Sequence, residues 1–151
     1  MVLRFSGLIV GAALVAAALP APAQPSAADA GAQAFLKRCA SCHGRTAAGN
    51  PGVYPPLSEV GRHAGSEAGR TYLAAVTATG LSGRIEVGGK AYQGYMPGLR
   101  AATRLEERAA ILNWLIRHNR SKAPLFTPAE LTRREAVLRT PAEVGRARPA
   151  K

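Results

Sequence analysis

Residues 39 to 43 read Cys39-Ala40-Ser41-Cys42-His43, and they hold both cysteines of a 151-residue chain. On a helical turn, positions three apart project to one side, so the two thiols face the same way and the next imidazole stands beside them. Such a pair can close a disulfide, act as a thioredoxin-like couple, supply half of a zinc site or carry a cofactor. A thioredoxin-like couple wants a preceding strand and an adjoining βαβ pattern, and neither is visible here. Zinc wants further ligands, for which only His63 and His118 are at hand. C-x-x-C-H is also the arrangement by which two thiols add to the two vinyl groups of haem while the following imidazole reaches the iron. Haem attachment through Cys39 and Cys42, with His43 as one axial ligand, is the expectation.

The chain starts like an exported one. Met1 to Arg4 is short and basic, Phe5 to Leu19 is apolar, and Ala21-Pro22-Ala23 offers small residues for cleavage, which predicts a signal peptide over 1–23 cut after Ala23. A retained anchor would need about 20 apolar residues, and Pro20 and Pro22 end this run early, so no transmembrane span is expected in the mature chain. What remains suffices for one core. Aromatic residues make up only 5% of the chain and Gly44 to Gly65 is rich in Gly and Pro, so a large apolar cofactor would fill what side chains cannot. The formal charge is +11; cleavage deletes only Arg4 from 20 Lys and Arg, leaving 19 against 9 Asp and Glu, or +10. That excess favours acidic partners. It is spread along the chain with no recognition motif, and export removes the usual targets, so no nucleic acid is expected.

Asp29 to Arg38 has helical character, with Gly31, Phe35 and Cys39 at intervals of four. Thr103-x-x-Glu106 reads as a capping box opening a second helix, whose stripe is Leu105, Ala109, Leu112, Leu115 and Ile116, with Arg104, Glu107, Arg108 and Arg117 mostly outside it. Gly31 would let this helix approach closely. Between them, Ser66 to Thr79 reads as a helix stopped by Gly80, with Tyr72, Leu73 and Val76 inward. Arg84 to Tyr92 alternates around Gly88-Gly89, the pattern of a small hairpin with Ile85 and Val87 on one side. Thr127-Pro128-Ala129-Glu130 is a further capping box, predicting a short helix that ends near Thr140, with Arg133, Arg134 and Arg139 in water. The basic stretch from Pro141 to Lys151 is expected to be disordered or to serve as a docking tail.

Gly31-x-x-x-Phe35, Cys39-x-x-Cys42-His43, Pro56-Leu57, Met96-Pro97 and Leu112-x-Trp114-Leu115, in that order over about Asp29 to Asn119, resemble a class I cytochrome c. Gly80 to Pro97 is similar to bacterial periplasmic cytochromes, including domains tied to dehydrogenases and oxidases. The resemblance implies an all-α fold in which N- and C-terminal helices cross around one covalent haem c, joined here by a small hairpin and an extra short C-terminal helix. The domain would run over 24–123, and 124–151 would be the extension. The resemblance also implies a proline carbonyl as acceptor for His43, from Pro55 or Pro56, and electrons passing through an exposed haem edge.

Few donors are available for a second axial ligand: Met96, His63 and His118, since Met1 leaves with the signal. Met96 lies in Gly94-Tyr95-Met96-Pro97-Gly98, read as a loop without helix or strand that lays a thioether against the haem. His63, in Gly61-Arg62-His63-Ala64-Gly65, reads as a surface-loop residue, and His118 as a cap at a helix C-terminus. Tyr54, Tyr92 and Tyr95 are candidates to bond the haem propionates, and Arg62 or Arg84 to neutralise them. His/Met ligation leaves the iron no open position, which argues for an electron carrier rather than an enzyme. The expectation is a soluble periplasmic shuttle, or a cytochrome subunit of a periplasmic dehydrogenase or oxidase complex, meeting partners with acidic docking surfaces. An open-site haem enzyme or gas sensor would need distal acid or base groups, and the sequence has no catalytic cluster near Met96.

Overall fold

A reciprocal capping box opens the first helix of this computed structural model, which describes residues 26–150. The Ser26 hydroxyl accepts from the Asp29 amide, and the Asp29 carboxylate accepts from the Ser26 amide. Helix α1 (Ala27–Arg38) therefore begins two residues before the expected start and buries Gly31 and Phe35 on one stripe. The signal peptide expected over 1–23 lies outside the described residues.

Helix α5 (Leu105–His118) crosses α1 at Gly31. A Cβ there would stand 2.5 Å from the Ala110 carbonyl oxygen and 2.9 Å from the Trp114 Cβ, so only a hydrogen lets the backbones come this close. Phe35 then stacks on Trp114 with ring centroids 4.4 Å apart. The buried stripe of α5 holds Ala109, Leu112, Leu115 and Ile116 as expected, and Ile111 besides. Two expectations for this helix fail. Arg104 stands at the N-cap without a side-chain bond, because the Thr103 hydroxyl donates instead to the Leu99 carbonyl at 2.7 Å. Arg108 is buried rather than wet, donating to the Thr103 carbonyl and, at 2.7 Å, to the Glu135 carboxylate that a later helix places over it.

One residue after α1 comes α2 (Ala40–His43), and past a loop come α3 (Val60–His63) and α4 (Glu67–Thr79), the last capped by the Ser66 hydroxyl and ended at Gly80. Strands β1 (Gly80–Val87) and β2 (Lys90–Pro97) form an antiparallel hairpin that turns at Gly88-Gly89, both with positive φ, which suits a two-residue turn to the twist of the strands. This pairing runs further than the expected Arg84 to Tyr92. Met96 thus belongs to β2, opposite Leu81, and not to a loop.

The C-terminal extension folds back on the domain. In α6 (Pro128–Glu135) the Thr127 hydroxyl caps the Glu130 amide, but Glu130 does not reciprocate because its carboxylate is taken by Arg70 and Arg134. Arg134 consequently sits in ion pairs instead of in water, and the helix ends at Glu135, short of Thr140. The stretch from Pro141 is neither disordered nor free. Thr140 and Glu143 form a capping box around Pro141, α7 (Pro141–Arg146) follows, and Val144 is fully buried. With Phe35, Ile111, Leu112, Ile116 and Leu131, Val144 completes the set of large, fully buried side chains among the described residues.

Candidate haem-binding site

Between α2, α4, α5 and the hairpin lies an apolar cavity of about 340 Å³. The chain leaves helical geometry at Cys39 (φ −120°), and the single turn of α2 presents Cys39, Cys42 and His43 to that cavity. Cys39 is buried and Cys42 half-buried, with no disulfide between them. Among the described residues no group of three His, Cys, Asp or Glu side chains gathers as a zinc site would require.

His43 is 6% exposed, and its Nδ1 lies 2.9 Å from the carbonyl oxygen of Pro55. A carbonyl only accepts, so Nδ1 carries the proton and Nε2 keeps its lone pair. Burial lowers the pKa of this imidazole, the bond to Pro55 opposes that, and the neutral form suited to metal binding prevails. The acceptor is Pro55 and not Pro56, which lines the cavity without this bond. The loop between is held by the Gly49 amide on the His43 carbonyl and the Leu57 amide on that of Ala47. Gly49 has φ +73° and passes so close to Tyr54 and Pro55 that a side chain there would displace the acceptor.

Met96 lines the same cavity, half-buried and packed against the core. Tyr54 and Tyr95 stand at its rim, 38% and 66% exposed, whereas Tyr92 is buried in the wall. Arg62 and Arg84 are not among the residues lining it; Arg62 is bound to Glu59 and to the Ala150 carbonyl. His118 bonds the Thr46 carbonyl through Nε2 at 3.0 Å and stacks on Trp114, so it ties the loop after the motif to α5 rather than capping its own helix.

The cavity also has a polar corner that sequence reasoning missed. His63, expected at the surface, is 2% exposed with its Nδ1 unpartnered and its ring 5.3 Å from that of Tyr72. Burial first, and then the charges of Arg148 and Arg62, drive its pKa down to about 4, with Glu59 opposing. Arg148 reaches in from beyond α7 and donates to the Tyr72 hydroxyl at 2.9 Å and to the Glu59 carboxylate. Its only sequence signal was the Thr140-x-x-Glu143 box, which announces a helix but not where that helix goes.

The cytochrome c family model matches residues 28–118. This chain belongs to the cytochrome c family. It carries, accordingly, a covalently bound haem c with its iron. Two curated cytochromes c-552 from Thermus thermophilus are each 44% identical to this cytochrome over 77 residues, half of its length. The match spans 58% and 51% of those relatives, a little over half of each. The residues of the cavity fit the group: two thiols, an imidazole with a free Nε2 and a thioether converge on an apolar space.

Proposed function

We propose that this cytochrome is an exported, periplasmic one-electron carrier whose haem is held by Cys39 and Cys42 and whose iron is ligated by His43 and Met96. The observation that carries this reading is the convergence of those four side chains on one apolar cavity, with Pro55 fixing the tautomer of His43. When bound, the haem supplies a one-electron couple between ferric and ferrous iron. Cys39 and Cys42 tether it by thioethers, and His43 is kept oriented by its bond to Pro55. Met96 would supply the second protein ligand to the iron, and the apolar walls around it would keep water and substrates away. Tyr54 and Tyr95, exposed at the rim beside Val53, form the face through which a partner would come near. The basic surface favours partners with acidic docking faces, which steers their encounter.

Replacing Met96 with Ala tests the reading. The oxidised wild type should carry the near-infrared band of thioether-linked ferric haem, and its reduced form should resist carbon monoxide. Met96→Ala should lose the band and bind carbon monoxide readily; an unchanged spectrum would remove Met96 from the iron and favour an open-site enzyme or sensor. The free shuttle is preferred over a complex subunit because the C-terminal extension packs on its own domain, α6 on α4 and α5 and α7 on β1 and α4.

A further inference from the structure

A two-stranded hairpin is only marginally stable by itself, so something must hold the strand that bears Met96. Among the described residues β2 pairs with β1 alone; just beyond it the Leu99 and Arg100 amides donate to the Thr77 and Ala78 carbonyls of α4, so the rest of the strand takes its support from β1. What backs β1 is the C-terminal segment. Helix α7 packs on β1 and on α4, and a Cβ on Gly145 would collide with the Ser82 carbonyl oxygen. Ser82 is paired with Tyr95, and its neighbour Leu81 with Met96. The far end of the hairpin is held too: one Glu59 oxygen accepts from the Gly88 amide at 3.3 Å, and the other accepts from Arg148, which also donates to Tyr72 in α4. Arg62, donating to the Ala150 carbonyl at 3.1 Å, fastens the last described residue. The tail thus grips the hairpin at its base through Gly145 and at its turn through Arg148 and Glu59.

We propose that the segment from Pro141 to Ala150 is a strap that positions the sixth iron ligand, with Gly145 and Arg148 as its positioning residues. The proposal rests on Met96 being that ligand. Without the strap the hairpin swings away from the cavity more often, and each excursion takes the thioether with it.

The test uses holoprotein: wild type, Arg148→Ala, Gly145→Val, Met96→Ala as the reference for iron without a thioether, and Arg134→Ala as a control. Arg134 joins α6 to α4 through Glu130 and Glu67, so its loss weakens the fold without touching the hairpin. Hydrogen exchange should speed about tenfold at the hairpin amides in Arg148→Ala, and the carbon-monoxide-reactive fraction of the reduced protein should rise by a similar factor. Gly145→Val should go further and weaken the near-infrared band; if it fails to fold, Arg148→Ala still decides. The Arg134→Ala control should do neither. Unchanged hairpin exchange overturns the proposal, as does faster exchange with wild-type spectrum and carbon monoxide resistance, or an equal effect from Arg134→Ala. If wild type and Met96→Ala share one spectrum, the ligand assignment fails and the strap has no ligand to position; if they differ and both strap variants match the wild type, the assignment stands and the strap falls.

Discussion

Glu130 has its carboxylate between Arg70, at 2.6 Å and 2.7 Å, and Arg134, at 2.7 Å, and it is only 13% exposed. The hydrogen bond from Arg70, against burial and with help from Arg134, holds its pKa at about 2 instead of 4.5. A carboxylate whose folded pKa is depressed stabilises the fold above its unfolded pKa and loses that contribution as pH falls towards the folded value. The shift corresponds to at most about 3 kcal/mol, so Glu130 should account for up to that much of the stability lost between about pH 5 and about pH 2, and Glu130→Gln should start lower at neutral pH and show a flatter acid limb. Denaturant unfolding across pH measures both. Gly31→Ala should cost about 1–3 kcal/mol in the same measurement, since the Ala110 carbonyl it would strike is helix backbone that cannot give way. Gly31 was legible because a small residue one turn before an aromatic ring is a local pattern. His63 was not, because its polar neighbours look wet and what buries it, Tyr72 and Arg148, comes from elsewhere in the chain.

At the scale of elements, the helices were legible in their middles and less so at their ends. Thr103 with Glu106 and Thr127 with Glu130 have the spacing of capping boxes, yet neither is reciprocal: Leu99 takes the first hydroxyl, and two arginines take the second carboxylate. Ser26 with Asp29 and Thr140 with Glu143 do close. A side chain goes to its strongest partner, and a guanidinium brought by tertiary packing outcompetes a backbone amide. Thr140→Ala should therefore cost about 1 kcal/mol in thermal unfolding, and Glu106→Ala less than about 0.5 kcal/mol. The hairpin was seen only in its inner half, since Gly83, Gly94 and Pro97 discourage a strand reading while the paired backbone tolerates them at an edge.

For the molecule as a whole, the cofactor is part of the core. The cavity of about 340 Å³ is lined mostly by apolar side chains, and without the haem those walls would face water, a loss to set against a whole-domain stability of only about 5–15 kcal/mol. Cys39→Ala combined with Cys42→Ala, or export in a host without haem-attachment machinery, should yield a protease-sensitive chain with no cooperative unfolding transition in circular dichroism. A cooperative, protease-resistant product would show that protein side chains suffice. The charge of +11 makes a second prediction at this scale: electron exchange with an acidic partner should slow as salt rises, because screening shortens the reach of steering to about 8 Å at physiological ionic strength. Haem attachment and the close approach of two helices at Gly31 were readable from residue order alone. Thiol chemistry at fixed spacing and a 3.6-residue period act between near neighbours in the chain. That Pro55 rather than Pro56 holds His43, that Met96 rides on a strand, and that the basic tail returns to the hairpin became visible in the folded chain. Those outcomes depend on which remote backbone or charge arrives within hydrogen-bond reach, and no local pattern records that.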